Sequence, residues 1–69
     1  MTNKKFASLT NREKEIMDLL RGGMLNKEIA YECEITIDTV KKHIKNSYQK
    51  LGVRNRAEAI IHLNGNSLK

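Results

Sequence analysis

The chain has 69 residues, enough for one small domain with one core and too few for a deep catalytic cleft. Its formal net charge of +5 and its pI near 9.6 favour nucleic acid or an anionic membrane as the partner over an acidic small molecule. No apolar run approaches the roughly 18 residues that span a bilayer, and the polar start MTNKK leads into no signal-peptide core. The sequence therefore predicts a cytoplasmic protein. A membrane partner is also not expected, because the apolar residues opposite the lysines are needed for the core.

The composition also limits cofactors and fold class. Cys33 is the single cysteine, so no internal disulfide can form, and only His43 and His62 accompany it as candidate zinc ligands. We therefore expect no metal and no cofactor. Proline is absent and β-branched runs are short, which favours an all-α fold.

The chain is expected to divide into three parts. Residues 1–8 are polar and basic, and we expect a flexible arm there, with Phe6 against the domain. Residues 9–65 are expected to form the domain and residues 66–69 a tail.

The first helix is predicted from a strong start signal. Thr10 and Glu13 have the spacing of a capping box. An apolar stripe then follows at helical spacing before the helix stops. It consists of Ile16, Leu19 and Leu20, with Met17 at its margin and Gly22-Gly23 as the stop.

The second helix is short and is followed by a tight corner. Residues 26–33 place Ile29, Ala30 and Cys33 on an inward face, and Ile35 is expected to fill the corner before the next helix. An interval of three to four residues between two helices is typical of a helix-turn-helix. Cys33 is interpreted as a buried core residue rather than a redox sensor, because no neighbouring residue indicates a lowered thiol pKa.

The third helix, about residues 37–51, has two distinct faces. Thr36 is positioned to cap its start and Gly52 to close its end in a left-handed conformation. At roughly 100° per residue, one side is apolar and the opposite side is polar and basic. The apolar side holds Ile37, Val40, Ile44, Ser47, Tyr48 and Leu51; the polar side holds Asp38, Lys41, Lys42, Lys45, Asn46 and Gln49; the flank holds Thr39, His43 and Lys50.

Charge is segregated along the chain. Residues 39–57 contain six Lys or Arg and no Asp or Glu, whereas residues 13–38 contain three Lys or Arg and seven Asp or Glu. The alternative to a binding surface is a solvated lysine-rich face. Solubility requires only scattered charge of both signs, whereas a one-sided basic block is typical of a protein that binds a polyanion.

The fourth helix is predicted to follow a second capping box, Asn55 to Glu58, and to run from Arg56 to Leu63. Its apolar residues spread around more of the helix than one small core can cover, so part of this surface is expected to meet another protomer. They are Ala57, Ala59, Ile60, Ile61 and Leu63. The alternative is that all of them are core residues or simply exposed.

Four motifs occur in an order and spacing that identify a known family. They are Leu9-Thr10-Asn11-Arg12-Glu13, Asn26-Lys27-Glu28-Ile29-Ala30, Thr39-Val40-Lys41-Lys42-His43 and Lys50-Leu51-Gly52-Val53-Arg54-Asn55-Arg56-Ala57-Glu58-Ala59. From Leu9 to about Leu63 the chain resembles the LuxR-type (GerE-like) DNA-binding domain of bacterial transcription regulators. The resemblance implies a four-helix domain whose third helix enters the major groove and whose fourth helix forms a homodimer on a two-fold site.

Site residues follow from the resemblance and from the helical plot. The expected base contacts are Lys41, Lys42 and Lys45. The expected backbone contacts are Asn26, Lys27, Thr39, His43 and Asn46, to which the helical plot adds Lys50. The expected dimerisation residues are Ala57, Ile60 and Ile61.

Three residues depart from the family pattern. Leu25 replaces the usual hydroxyl cap of the second helix, so we expect Asn26 to take over the cap and shift the start by one residue. Ser47 replaces an apolar residue and Cys33 a larger leucine, which affects core packing rather than the groove face. Glu13 is expected to pair with Arg56 or Arg54 and lock the first helix against the fourth.

The predicted function is sequence-specific binding of double-stranded DNA as a bacterial transcription regulator, either a stand-alone protein or the C-terminal effector domain of a longer one. The alternative is a protein-interaction module that docks on RNA polymerase or a partner regulator, and RNA polymerase is a candidate partner in either case. An enzyme is disfavoured because the sequence offers no cluster of nucleophile, base or metal ligands.

Overall fold

A computed structural model describes residues 8–65, and these residues form four helices and no strand. The helices are α1 (Asn11–Arg21), α2 (Asn26–Cys33), α3 (Ile37–Leu51) and α4 (Arg56–Leu63). The predicted all-α, four-helix fold with a helix-turn-helix is confirmed. The parts of the predicted arm and tail at residues 1–7, with Phe6, and 66–69 lie outside the described residues.

Local capping explains where α1 and α3 begin and end. The Thr10 hydroxyl accepts from the Glu13 amide at 3.1 Å, and a Glu13 carboxylate oxygen accepts from the Thr10 amide at 2.9 Å, so the predicted capping box is complete. The Thr36 hydroxyl likewise accepts from the Thr39 amide at 3.1 Å. Gly52 closes α3 with a φ of 76°, as predicted.

The other two helices begin at the predicted residues, but their caps differ from the predictions. Helix α2 begins at Asn26 with Leu25 at the cap position, so the predicted shift of the cap to Asn26 is wrong. The Glu28 carboxylate accepts from the Leu25 amide at 2.7 Å and thereby fixes the start without help from the Leu25 side chain, which carries no acceptor.

Only half of the predicted capping box forms at α4. The Asn55 side chain accepts from the Glu58 amide at 2.9 Å. The Glu58 carboxylate accepts from the Arg54 amide at 2.8 Å instead of the Asn55 amide, so the return bond reaches one residue further back than predicted. The start at Arg56 is unchanged.

All four helices contribute to one core. The completely or almost completely buried apolar residues are Ile16, Met17 and Leu20 of α1, Ile29 of α2, Val40 and Leu51 of α3, and Ala59 of α4. Met17 was expected at the margin of α1, but it is fully buried because both α3 and α4 pack against that helix. Ile37 was expected in the core and is 42% exposed, because it is the first residue of α3 and precedes the first buried turn at Val40.

Ser47, which was expected to affect core packing, forms a hydrogen bond within its own helix. The side chain is fully buried, and its hydroxyl donates to the His43 carbonyl at 2.7 Å. No buried side-chain polar atom of residues 8–65 lacks a hydrogen-bond partner. The departure from an apolar residue therefore leaves no unsatisfied donor in the core.

Two polar links connect the ends of α1 to other helices, and they differ from the predicted one. Lys50 donates to Glu13 at 2.8 Å, whereas Arg56 donates to the carbonyls of Leu20 at 3.2 Å and Met24 at 2.8 Å. The predicted pairing of Glu13 with Arg56 or Arg54 is therefore wrong. The start of α4 lies at the C-terminal end of α1, where carbonyls need donors, while the end of α3 lies beside Glu13.

Candidate nucleic-acid interface

The exposed face of α3 presents a group of basic side chains on a firmly held helix. Lys41, Lys42 and Lys45 are all exposed. Lys41 and Lys45 are one turn apart, so their side chains project from the same side of α3. The opposite side of the helix is buried through Val40, Ile44, Ser47 and Leu51. The structure thus brings the three predicted base contacts together on one accessible surface.

These three lysines take no part in the internal ion pairs. Ion pairs within residues 8–65 include those of Arg12 with Glu15, Arg21 with Asp18, Lys50 with Glu13 and Arg54 with Glu58. No described carboxylate lies within ion-pair distance of Lys41, Lys42 or Lys45. Their ammonium groups therefore keep all of their donor capacity for an external partner.

A shallow open depression of about 350 Å³ adjoins this surface. Its lining residues are Asn26, Lys41, Ile44, Lys45, Tyr48, Gln49, Val53 and Arg54. The lining combines apolar side chains with the basic side chains of Lys41, Lys45 and Arg54, and it includes no carboxylate. It also places Asn26, at the start of α2, beside Lys41 and Lys45 of α3, which are distant from Asn26 in sequence.

Arg54 also lines this depression, although the sequence interpretation did not include it among the site residues. It was counted in the basic block, but its position relative to α3 could not be read from a helical plot because it lies beyond Gly52. The left-handed conformation of Gly52 turns the chain so that Val53 and Arg54 line the depression. The Arg54 side chain is 88% exposed, and its contact with Glu58 is a loose 3.7 Å. The signal was the helix-ending glycine followed at once by an apolar and a basic residue.

The remaining predicted backbone contacts lie around the lysines. Lys27 and Asn46 are exposed, and Thr39 and His43 are half-buried. The Thr39 hydroxyl also accepts from the Thr36 hydroxyl at 2.9 Å at the first turn of α3. Polar groups therefore occupy both the start and the flank of the helix.

Lys50 differs from the other predicted backbone contacts because it already has a partner. Its ammonium group is 2.8 Å from Glu13, a residue that is only 4% exposed. Burial raises the pKa of Glu13, but the hydrogen bond and charge of Lys50 and the donations from Thr10 outweigh it, so the pKa lies below its ordinary value. A phosphate at Lys50 would have to compete with this carboxylate.

The three predicted dimerisation residues have different environments. Ala57 is exposed and Ile61 is 52% exposed, and their spacing places them one turn apart on α4. Ile60 is partly buried and packs against the core. The free apolar surface of α4 is therefore centred on Ala57 and Ile61.

Two further properties concern ligands and membranes. Across residues 8–65, no three His, Cys, Asp or Glu side chains form a group that could hold a metal ion. No helix in this part of the chain is both long and apolar enough to cross a membrane.

Comparison with known proteins gives concordant matches. Residues 7–63 match the family described as bacterial regulatory proteins, luxR family. The chain is 46% identical over 66 residues to the spore germination protein GerE of Bacillus subtilis (strain 168), covering 91% of this chain and 89% of that protein. It is 44% identical over 54 residues to the HTH-type transcriptional regulator MalT of Klebsiella pneumoniae, covering 78% of this chain but 6% of that protein. The chain thus spans most of the first relative and a small part of the second.

Proposed function

The chain belongs to the luxR family of bacterial regulatory proteins, and we propose that it regulates transcription by inserting α3 into the major groove of double-stranded DNA. This family consists of DNA-binding regulators and not of enzymes. The function of sequence-specific DNA binding follows from membership, and the assignment of individual residues is our proposal.

The observation that carries the assignment is the free ammonium groups of Lys41, Lys42 and Lys45 on one face of α3. An α-helix fits the major groove, and lysine donors there can bind O6 and N7 of guanine. Lys41 and Lys45 lie near the centre of the exposed face and are assigned to base edges. Lys42 is assigned to the adjacent base.

The residues around α3 are assigned to the DNA backbone. Phosphate contacts fix the position of a protein on the duplex, and polar side chains and helix starts commonly supply them. The assigned residues are Asn26 and Lys27 at the start of α2, Thr39, His43 and Asn46 on α3, and Arg54 after it. Arg54 is included because it lines the same depression as Asn26 and Lys45.

We also propose that two protomers bind a two-fold site through α4. Support comes from Ala57 and Ile61, which present an apolar surface outside the core, with Ile60 contributing less because it packs inward. Such pairing would place two half-sites roughly one helical turn, about 10 base pairs, apart. A cytoplasmic location and contact with RNA polymerase are further parts of the proposal, consistent with action at promoters.

The decisive experiment compares Lys45→Ala with Arg21→Ala, an exposed residue on α1 whose replacement changes the charge by the same amount. Duplexes are first selected from a random pool with the wild-type protein. We expect Lys45→Ala to weaken binding to the preferred duplex by about 1 to 3 kcal/mol and to relax base choice at one position. Arg21→Ala should change neither quantity appreciably.

Two outcomes would contradict the proposal. If Lys45→Ala weakened preferred and scrambled duplexes equally and left every base preference unchanged, Lys45 would be a backbone contact. If the wild-type protein shifted no duplex at all, the alternative of a protein-interaction module would be favoured.

A further inference from the structure

We propose that Glu13 is a positioning residue for DNA recognition, which holds α3 in place through Lys50, and that Lys50 acts as a latch of α3 rather than as a phosphate contact. This inference rests on the proposed function, because it concerns how the DNA-reading helix is oriented. It assigns to the end of α3 a different role from the one that the helical plot predicts.

The carboxylate of Glu13 is held in a fixed position. The same oxygen accepts from the Thr10 amide at 2.9 Å and from the Lys50 ammonium at 2.8 Å, and the Glu13 amide donates to the Thr10 hydroxyl. Because the capping box orients this side chain, it cannot follow Lys50 freely. Glu13 is only 4% exposed, whereas the Lys50 side chain is 37% exposed, so solvent reaches the pair from the Lys50 side alone.

Such a pair constrains α3 in a way that the surrounding core does not. The hydrophobic effect that buries core residues such as Ile16 and Val40 is non-directional, so burial alone specifies the axial position of a helix less sharply than a directional bond does. A charge-assisted hydrogen bond has a defined length and direction. The Glu13–Lys50 pair therefore specifies how far α3 is shifted and rotated relative to α1.

The constraint reaches the DNA-reading side chains because a helix moves as a rigid element. Lys45 precedes Lys50 by five residues, or about 7.5 Å along the axis. A shift at Lys50 is therefore transmitted to Lys41 and Lys45. Recognition groups must be held within about 0.5 Å of their productive positions, so loss of the pair should reduce selectivity for the preferred sequence.

The two roles for Lys50 predict opposite effects of a change at Glu13. If Lys50 bound a phosphate, Glu13 would compete for its ammonium group, and Glu13→Gln would strengthen DNA binding. If Lys50 is a latch, Glu13→Gln removes the charged partner and weakens binding to the preferred duplex. Glutamine keeps the size of the side chain and an oxygen that can accept from Thr10.

The test titrates Glu13→Gln, Lys50→Met and Lys50→Arg on preferred and scrambled duplexes at several salt concentrations. The temperature is one at which circular dichroism shows every variant to be folded. We expect Glu13→Gln and Lys50→Met each to weaken the preferred complex on the order of tenfold and the scrambled complex much less. The salt dependence should equal that of the wild type, and Lys50→Arg should retain binding because arginine can still donate to Glu13.

Lys27→Met is the matched control, since it removes the same charge from an assigned phosphate contact and should lower the salt slope by about one unit. Tighter binding by Glu13→Gln, or the same loss of slope in Lys50→Met, would overturn the proposal. Unchanged DNA binding with a lower melting temperature would also overturn it, because the pair would then only stabilise the fold. Lys50→Met keeps the capping bonds of Glu13 and so remains informative if Glu13→Gln unfolds. Absence of any sequence preference in the wild type would instead reject the proposed function itself, and this inference with it.

Discussion

Glu13 is a buried carboxylate whose ionised form is favoured by the folded state. Burial raises the pKa of Glu13, but the combined effect of Lys50 and Thr10 lowers it by more. The folded-state pKa therefore lies below the ordinary value of 4.5. A lowered folded-state pKa means that the unfolded chain binds the proton more readily. The stabilising contribution is therefore fully present above the unfolded pKa and is lost as the pH falls through the folded pKa.

We accordingly expect the free energy of unfolding to fall as the pH is lowered from about 4.5 through the folded-state pKa of Glu13, and to fall less steeply in Glu13→Gln, which has no carboxylate to protonate at this position. Urea denaturation followed by circular dichroism at a series of pH values measures both curves. Parallel curves for the two proteins would show that Glu13 does not contribute to the acid sensitivity.

Leu25 occupies a helix-cap position without the side-chain acceptor that such positions usually have. It is 56% exposed, occupies the cap position of α2 and makes no side-chain cap hydrogen bond. Leu25→Ser should add the missing acceptor while keeping the bond from the residue-25 amide to Glu28. We expect stabilisation of about 0.5 to 1 kcal/mol.

Thermal melting tests the Leu25→Ser prediction, with an increase of a few degrees expected for a domain of this size. The matched control is Leu25→Ala, which removes the same exposed apolar surface without supplying an acceptor. A similar gain in both variants would attribute the effect to lost leucine rather than to capping.

At the scale of a helix, Gly52 determines both the end of α3 and the direction of the chain that follows. Its φ of 76° lies in the left-handed region, which costs a residue with a Cβ about 1 to 2 kcal/mol. We expect Gly52→Ala to lower the free energy of unfolding by this amount and to misplace Arg54. Denaturant unfolding measures the first effect.

Gly22→Ala is the control for this prediction, because Gly22 ends α1 with an ordinary φ of −76°. A Cβ there would lie 3.4 Å from the Leu19 carbonyl oxygen, so the change should be small. Equal losses in the two variants would mean that the general effect of replacing glycine, rather than the left-handed conformation, explains the result.

The sequence was sufficient to predict the helices because their signals are local. Thr10 with Glu13, and Thr36 with Gly52, lie within or next to the element that they define, and the apolar period between them is regular. Local signals were not sufficient for the cap of α4, where the Glu58 carboxylate accepts from the Arg54 amide and not from the Asn55 amide. Both amides are within reach of one side chain, and the choice depends on the turn after α3.

Polar partners between helices could not be predicted in the same way. Glu13 and Lys50 are separated by 37 residues, and periodicity alone does not show which end of α1 meets which helix. Arg56 has the positive charge that a partner of Glu13 requires. Its side chain instead donates to carbonyls at the C-terminal end of α1, whereas Glu13 lies at the N-terminal end. The basic face of α3, in contrast, could be predicted, because one helix contains all of its residues.

At the scale of the whole molecule, the basic surface of α3 and the exposed apolar residues of α4 suggest cooperative binding of two protomers. We expect Ile61→Ser to retain affinity for a single half-site and to weaken the complex on a full two-fold site. Tyr31→Ser is the matched control, since it also removes an exposed large side chain, one that is 85% accessible, but from α2.

Sedimentation of each complex at saturating protein measures the number of bound protomers. One protomer on a full site in the wild type would contradict dimerisation on DNA. An equal loss of cooperativity in the Tyr31 variant would show that the effect is not specific to α4 and would contradict the proposed interface.

Helix α4 is short, and most of its residues are only partly buried or exposed. It has eight residues, only Ala59 of them is fully buried, and Arg56 supplies the link to the carbonyls at the end of α1. A helix shorter than about 12 residues has little stability when detached. Local unfolding should therefore begin there, and α4 amides should exchange with deuterium sooner than those of α1 and α3. If α4 joins two protomers on DNA, binding to a full site should slow this exchange, whereas binding to a half-site should not.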